Sequence, residues 1–399
     1  MGLGNRGYVY TLLTSIVTVT ILSIILFNIE LFEGKNEDEL NRAKLRQLHV
    51  GMESVKDDYR RAVTISVQRA SLYTINNIVD SFTFIDPGYT MNNCSEFNYT
   101  GAGAQAAIAE LMVCGTYQGA STDSIEYMKE HTIRHWMNKT EYEAKGEGYR
   151  LDVEFRGLEL SMYDGFHILA STEFDFTGSD GFGGRYEGQR MHVNTIIPIS
   201  GLEDPYYILK STSDSTSRTI LECEDAPETL DKDSLEDWVD EGCYRTSRLV
   251  SGTGPCFFDR IEGNDELSVK YATQTLQKSQ ELGLEFKDIG LETLVDKREL
   301  IMRGLPSSNK SQVDFKYFNP ASQDPSFCVI EDVAGRPLYL DLDHLVEYSI
   351  SDAACTFNIV EAAGLLDTSP SGDEFSVPAG VDLKWHNEAA EGVVLSVIN

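Results

Sequence analysis

The chain has 399 residues and carries 64 Asp+Glu against 33 Lys+Arg, a net charge of −31. That balance excludes a nucleic-acid binder working through its whole surface, because phosphate neutralisation needs concentrated Lys and Arg. At 41% hydrophobic and 10% aromatic residues the chain is also too apolar for intrinsic disorder, and its length suits about two or three domains.

The first element is a run without charge, Tyr8 to Phe27, 20 residues long. At a rise of about 1.5 Å per residue it matches the ~30 Å hydrocarbon core of a bilayer. Arg6 precedes it, and Glu30 and Glu33 follow. The positive-inside rule then places the N-terminus in the cytoplasm and the chain beyond the run outside. The run exceeds a signal-peptide core and no small-x-small site follows, so residues 8–32 read as an uncleaved single-pass anchor. The few residues ahead of Tyr8 leave no room for a cytoplasmic kinase, cyclase or adaptor domain. Thr11, Thr14, Ser15 and Thr18 share one face of this helix. They either pack against a second membrane helix or bond back to their own carbonyls.

Residues 36–82 read as one long helix, with acids in its first turn and Pro87 beyond its end. Leu45, Leu48, Met52, Val55, Tyr59 and Ala62 step by threes and fours. That stripe serves either burial against the chain's own domain or self-association. Two more helices are expected at 102–114 and 123–144. From Tyr149 the period changes to two. The stretches 151–160, 166–178 and 186–199 alternate apolar and polar residues between Gly/Asp turns, the pattern of an antiparallel sheet with one solvated face. A short helix around Leu235–Val239 and a longer one at about 265–282 follow. Strands are expected near 312–318, 327–333 and 337–342, and in the tail at 375–378, 381–386 and 392–398. Ser369–Gly372 reads as a linker. The fold class is therefore α+β: an N-terminal transmembrane helix, a long membrane-proximal helix and an extracytoplasmic head with antiparallel sheets. The expected divisions are 1–33 (leader and anchor), 34–145 (helical region), 146–368 (head) and 369–399 (a small β unit).

Seven cysteines all follow the anchor, and none forms a CxxC or a zinc-finger spacing. Outside the membrane their natural use is disulfides. Proximity in sequence pairs Cys94 with Cys114, Cys223 with Cys243 and Cys328 with Cys355, leaving Cys256 free; buried reduced thiols are the alternative. Asn93, Asn98, Asn138 and Asn309 head N-x-S/T sequons and are candidate glycan acceptors. The excess acid serves solubility in a salty medium or, less economically, divalent cations.

The motifs that carry chemistry elsewhere lack their context here. His131 and His135 stand four apart, but Thr132 occupies the position of the glutamate in HExxH. Gly101, Gly103 and Ala106 form G-x-G-x-x-A with no hydrophobic strand ahead, so they read as a glycine-rich helix start. Residues 178–184 lack GK[ST] and read as a hairpin loop. Asp175, Asp180 and Glu187 beside it do not match a calcium loop. Asp341, Asp343 and His344 put two carboxylates on one strand face, which reads as a solvated face. No catalytic residue, cofactor site or metal site is assigned.

Several phrases resemble a group of archaeal surface proteins with one N-terminal anchor that accompany type IV pilus-like machinery. They are residues 6–12 (RGYVYTL), 197–206 (IPISGLEDPY), 254–263 (GPCFFDRIEG), 290–296 (GLETLVD) and 313–318 (VDFKYF). The N-terminal plan is similar to that of type IV pilins. The resemblance implies a leader cut between Gly7 and Tyr8, with Leu12 standing where the family usually has Glu, and the size of the head suits a minor or tip subunit. The expected function is that of a non-enzymatic surface protein, a minor pilin or pseudopilin-like part of an archaeal envelope apparatus. Its expected partners are the membrane and other envelope or pilus-type proteins, without nucleic acid. The alternative is a membrane-tethered extracellular hydrolase or a ligand-binding ectodomain.

Overall fold

In the computed structural model the described residues are 18–19, 21–22, 37–91, 94, 97, 99–119, 127–180, 185–211, 217–223, 232–247, 254–304 and 312–319, with backbone strands at 327–331, 337–341, 367–368, 374–378 and 394–398. Four residues of the expected anchor are among them and are helical. The rest of 8–32 lies outside. Among the described residues no helix is long and apolar enough to cross a membrane.

Helices α1 (Glu37–Ser81), α2 (Ala104–Cys114) and α3 (Ile133–Gly146) come first. Strands β1 (Tyr149–Asp164), β2 (His167–Asp180) and β3 (Arg185–Pro198) follow, then α4 (Pro205–Ser211), α5 (Lys232–Glu241) and β4 (Arg245–Ser247). Next are α6 (Phe257–Glu262), α7 (Val269–Leu282), β5 (Gly290–Glu292), α8 (Lys297–Met302) and α9 (Asp314–Phe318). The tail holds β6 (Phe327–Glu331), β7 (Pro337–Asp341), β8 (Asp367–Thr368), β9 (Glu374–Pro378) and β10 (Val394–Ile398). The fold is α+β.

The main sheet has the order β1-β2-β3. Its connections are too short for a parallel crossover, so it is an antiparallel meander. On β3, Val193, Thr195 and Ile197 are buried while His192, Asn194 and Ile196 face out, the period-two alternation read from the sequence. β4 with β5, β6 with β7 and β8 with β9 are also antiparallel. In the tail, β10 runs parallel to β9, with Val394 opposite Glu374. The expected strand at 381–386 lies outside the described residues.

Backbone proximity divides the chain into two units. One comprises Met1–Asp58, Lys139–Glu154 and Asp175–Gln189; the other comprises Tyr59–Asn138, Phe155–Phe174 and Arg190–Asn399. In the first, Glu141 Oε1 accepts the Val153 N–H at 3.0 Å, tying α3 to β1.

In the second unit the later part of α1 presents a continuous buried stripe: Tyr59, Val63, Ser66, Val67, Ala70, Thr74, Ile75 and Ile78. Burying each of the larger aliphatics contributes about 1.5–3 kcal/mol. The Tyr59 ring meets Phe174 tilted at 4.5 Å and Trp136 edge-on at 5.2 Å, the Ser66 hydroxyl donates to the His131 carbonyl at 2.6 Å, and Arg69 donates to the Tyr127 carbonyl at 2.8 Å. Of the stripe read from the sequence, Tyr59 is buried and Val55 and Ala62 are half-buried. The side chains of Leu45, Leu48 and Met52 lie outside the described set.

α2 is buried on every side from Ala104 to Val113, as its small, apolar sequence requires of a central helix. Glu110 within it is fully dehydrated. Its carboxylate accepts from the Tyr89 hydroxyl and from the Gly119 N–H at 3.1 Å. Gly115 ends the helix in the left-handed conformation.

Two expectations are corrected. The helix expected at 123–144 begins only at Ile133, because the Thr132 hydroxyl accepts the His135 N–H at 3.0 Å and caps it. His131 therefore lies outside the helix, and the two histidines do not share a helical face. Residues 312–318, expected as a strand, contain the helical turn α9. The Asp314 carboxylate accepts the Phe315 N–H at 2.8 Å and holds that turn.

Candidate functional site

The most organised polar site is an ionic core in the second unit, centred on Arg260 of α6. Arg260 is completely buried. Its Nη1 donates to Asp204 Oδ2 at 2.6 Å, and its Nη2 to Asp314 Oδ2 at 2.8 Å and to the Leu291 carbonyl at 2.7 Å. Both carboxylates are also fully dehydrated. The guanidinium lies 5.0 Å from the Tyr206 ring and 5.4 Å from the Tyr244 ring.

Each carboxylate has further donors. The Tyr244 hydroxyl donates to Asp204 Oδ2 at 2.7 Å, and the Tyr206 N–H to Oδ1 at 3.1 Å. Asp314 Oδ1 accepts the Thr293 and Phe315 N–H groups. Burial opposes the charge on Arg260, but Asp204 and Asp314 outweigh it, so its pKa rises and it stays protonated. Burial pushes the Asp314 carboxyl up, against the pull of Arg260. This chemistry fixes structure: a fork of donors locks two acids into place, and no reacting atom has room to enter.

The four phrases from the head that carried the resemblance meet here. Asp204 and Tyr206 come from 197–206, Arg260 from 254–263, Leu291 and Thr293 from 290–296, and Asp314 from 313–318. Sequence reasoning did not find the ion pairs. The available signal was Asp-Arg-Ile-Glu set directly after Cys-Phe-Phe, charges inside an apolar run that have no place on a solvated face.

A second polar site lies beside the first in sequence and explains the glycine pattern. Glu262 Oε1 accepts the Ala104 N–H at 2.8 Å, at the start of α2. The Tyr271 hydroxyl donates to the same oxygen, and Asn264 donates to Oε2 at 3.2 Å. Gly103, at φ +68°, leaves the space: a Cβ there would stand 1.9 Å from Glu262 Oε1. The start of α2 is thus closed by the protein's own carboxylate, the favourable charge for a helix N-terminus. Burial raises the Glu262 pKa, while Tyr271 and the Ala104 amide draw it back.

A third site is open. A cleft of about 440 Å³ is lined by Asp164, Phe166, His167, Glu222, Thr246 and residues 285–288. Asp164 Oδ1 lies 2.7 Å from His167 Nδ1 and accepts the Phe166 N–H at 2.9 Å, an Asx turn that closes the β1–β2 hairpin. Lys287 Nζ stands 3.7 Å from Asp164 Oδ2 and 4.6 Å from the centre of the Tyr163 ring. Gly165 is required at the tip, where a Cβ would meet Thr246 Cγ2 at 2.7 Å.

The structure joins Cys94 to Cys114 and Cys223 to Cys243, with Cα atoms 6.0 and 4.9 Å apart. Cys256 is free and buried, and burial pushes its thiol well above the ordinary value, the state of an inert thiol. Cys328 lies on β6, but Cys355 is outside the described residues. Of the sequons, Asn138 is exposed on α3; Asn93, Asn98 and Asn309 lie outside the described residues, as do Gly7, Tyr8, Asp343 and His344. Among the described residues no group of three or more His, Cys, Asp and Glu side chains has metal-binding geometry. No family model, curated protein or solved structure matches the chain.

Proposed function

We propose that the chain is a non-enzymatic cell-surface protein, anchored by one N-terminal helix, whose α+β head engages other proteins of the cell envelope. The observation that carries this reading is the uncharged run Tyr8–Phe27, with Arg6 on one side and Glu30 and Glu33 on the other. The plan of apolar helix, charged helix and head is that of a type IV pilin, and the phrases quoted above add the resemblance to archaeal anchored surface proteins. A role as a minor pilin or pseudopilin-like subunit follows from that plan. Two disulfides support an oxidising location for the head, and the high negative charge supports a surface that stays solvated in salt.

The test is protease treatment of intact cells followed by membrane fractionation. The proposal expects the full-length chain to pellet with membranes, resist carbonate extraction, and lose its head to protease added outside. A chain released by carbonate, or protected until the cells are opened, would overturn it. Cross-linking in intact cells, with recovery of pilus-type platform or secretion ATPase proteins, would sharpen the partner class.

A further inference from the structure

We draw no further inference here: the strongest candidate, the open cleft beside the β1–β2 hairpin where Asp164, Glu222, Glu285 and Asp288 gather around His167 and Lys287, is an acidic cluster in which Asp164 is already engaged by both basic side chains, and no second observation in the structure points to a ligand there.

Discussion

The ionic core and the cleft both set acids beside basic side chains, and they behave oppositely. Around Arg260, two carboxylates are removed from water and both accept directional hydrogen bonds, while Arg260 donates through Nη1 and Nη2 and leaves Nε without a partner. In the cleft, acids stand at an open surface beside one lysine and one histidine, and Asp164 serves the geometry of a hairpin turn. A count of acids cannot separate the two. Dehydration separates them, because a buried carboxylate without donors is costly and a solvated one is not.

Removing the centre of the core should destabilise the protein most. Arg260→Met leaves Asp204 and Asp314 dehydrated without their cation, and the full chain in detergent should lose about 3–5 kcal/mol in urea unfolding. A loss below about 1 kcal/mol would show that the core is hydrated and would erase the contrast with the cleft.

Gly103→Ala comes next. The new Cβ would collide with Glu262 Oε1 on a backbone that glycine alone adopts readily, at a cost of roughly 2–4 kcal/mol. Glu262→Gln keeps an acceptor for the Ala104 amide, and should cost clearly less. Equal losses from the two variants would mean that charge at the helix start, rather than space, is decisive.

Asp314 and Glu262 have raised folded pKa values because burial disfavours their charge. The folded state therefore binds more protons than the unfolded state in the window between the ordinary carboxylate pKa and the raised one. The stability these groups contribute is fully present below the ordinary value and is lost as pH rises through the folded one. Asp314→Asn should flatten that part of the curve of unfolding free energy against pH, and an unchanged slope would contradict the assignment.

Lys297 acts in the opposite sense. It is buried near the Tyr317 ring (5.5 Å), and burial pushes its pKa down to about 7 from 10.5. Its contribution is present above the ordinary lysine value and is lost as pH falls towards 7. Lys297→Met should remove the rise in stability between pH 7 and pH 10. A rise of the same size in the variant would place the lysine head in water.

The smallest effect belongs to the cleft. Glu285→Gln removes one charge from an exposed rim and should change stability by no more than about 0.5 kcal/mol. A loss as large as that of Arg260→Met would make the cleft a second ionic core.

The same contrast explains what the sequence allowed to be read. The strands of the main sheet were legible because one face is wet, so Val193, Thr195 and Ile197 alternate with His192, Asn194 and Ile196. Helix α7 was legible at its end because Gly283 takes the left-handed cap, although it starts at Val269 and not near the expected 265. The turns α4, α6 and α8 were not read, because helices of six or seven residues are too short to show a 3.6-residue period. Residues 312–318 differ from the expected strand for a physical reason: Asp314 holds the turn through the Phe315 amide and is itself held by Arg260, a tertiary contact that overrides the local preference. The disulfide pairs Cys94–Cys114 and Cys223–Cys243 were legible from sequence proximity. The Arg260 core was not, since its members lie 56 and 54 positions apart and a charged residue read alone looks solvated.

The proposed anchor is tested by the N-terminal residue and intact mass of the native chain recovered from membranes. A chain held by that anchor still contains residues 8–32. A start at Tyr8 would establish pilin-type leader cleavage, and a start at Met1 a plain signal anchor. A mature N-terminus beyond Phe32 would overturn the anchor, because the head would then carry no membrane helix.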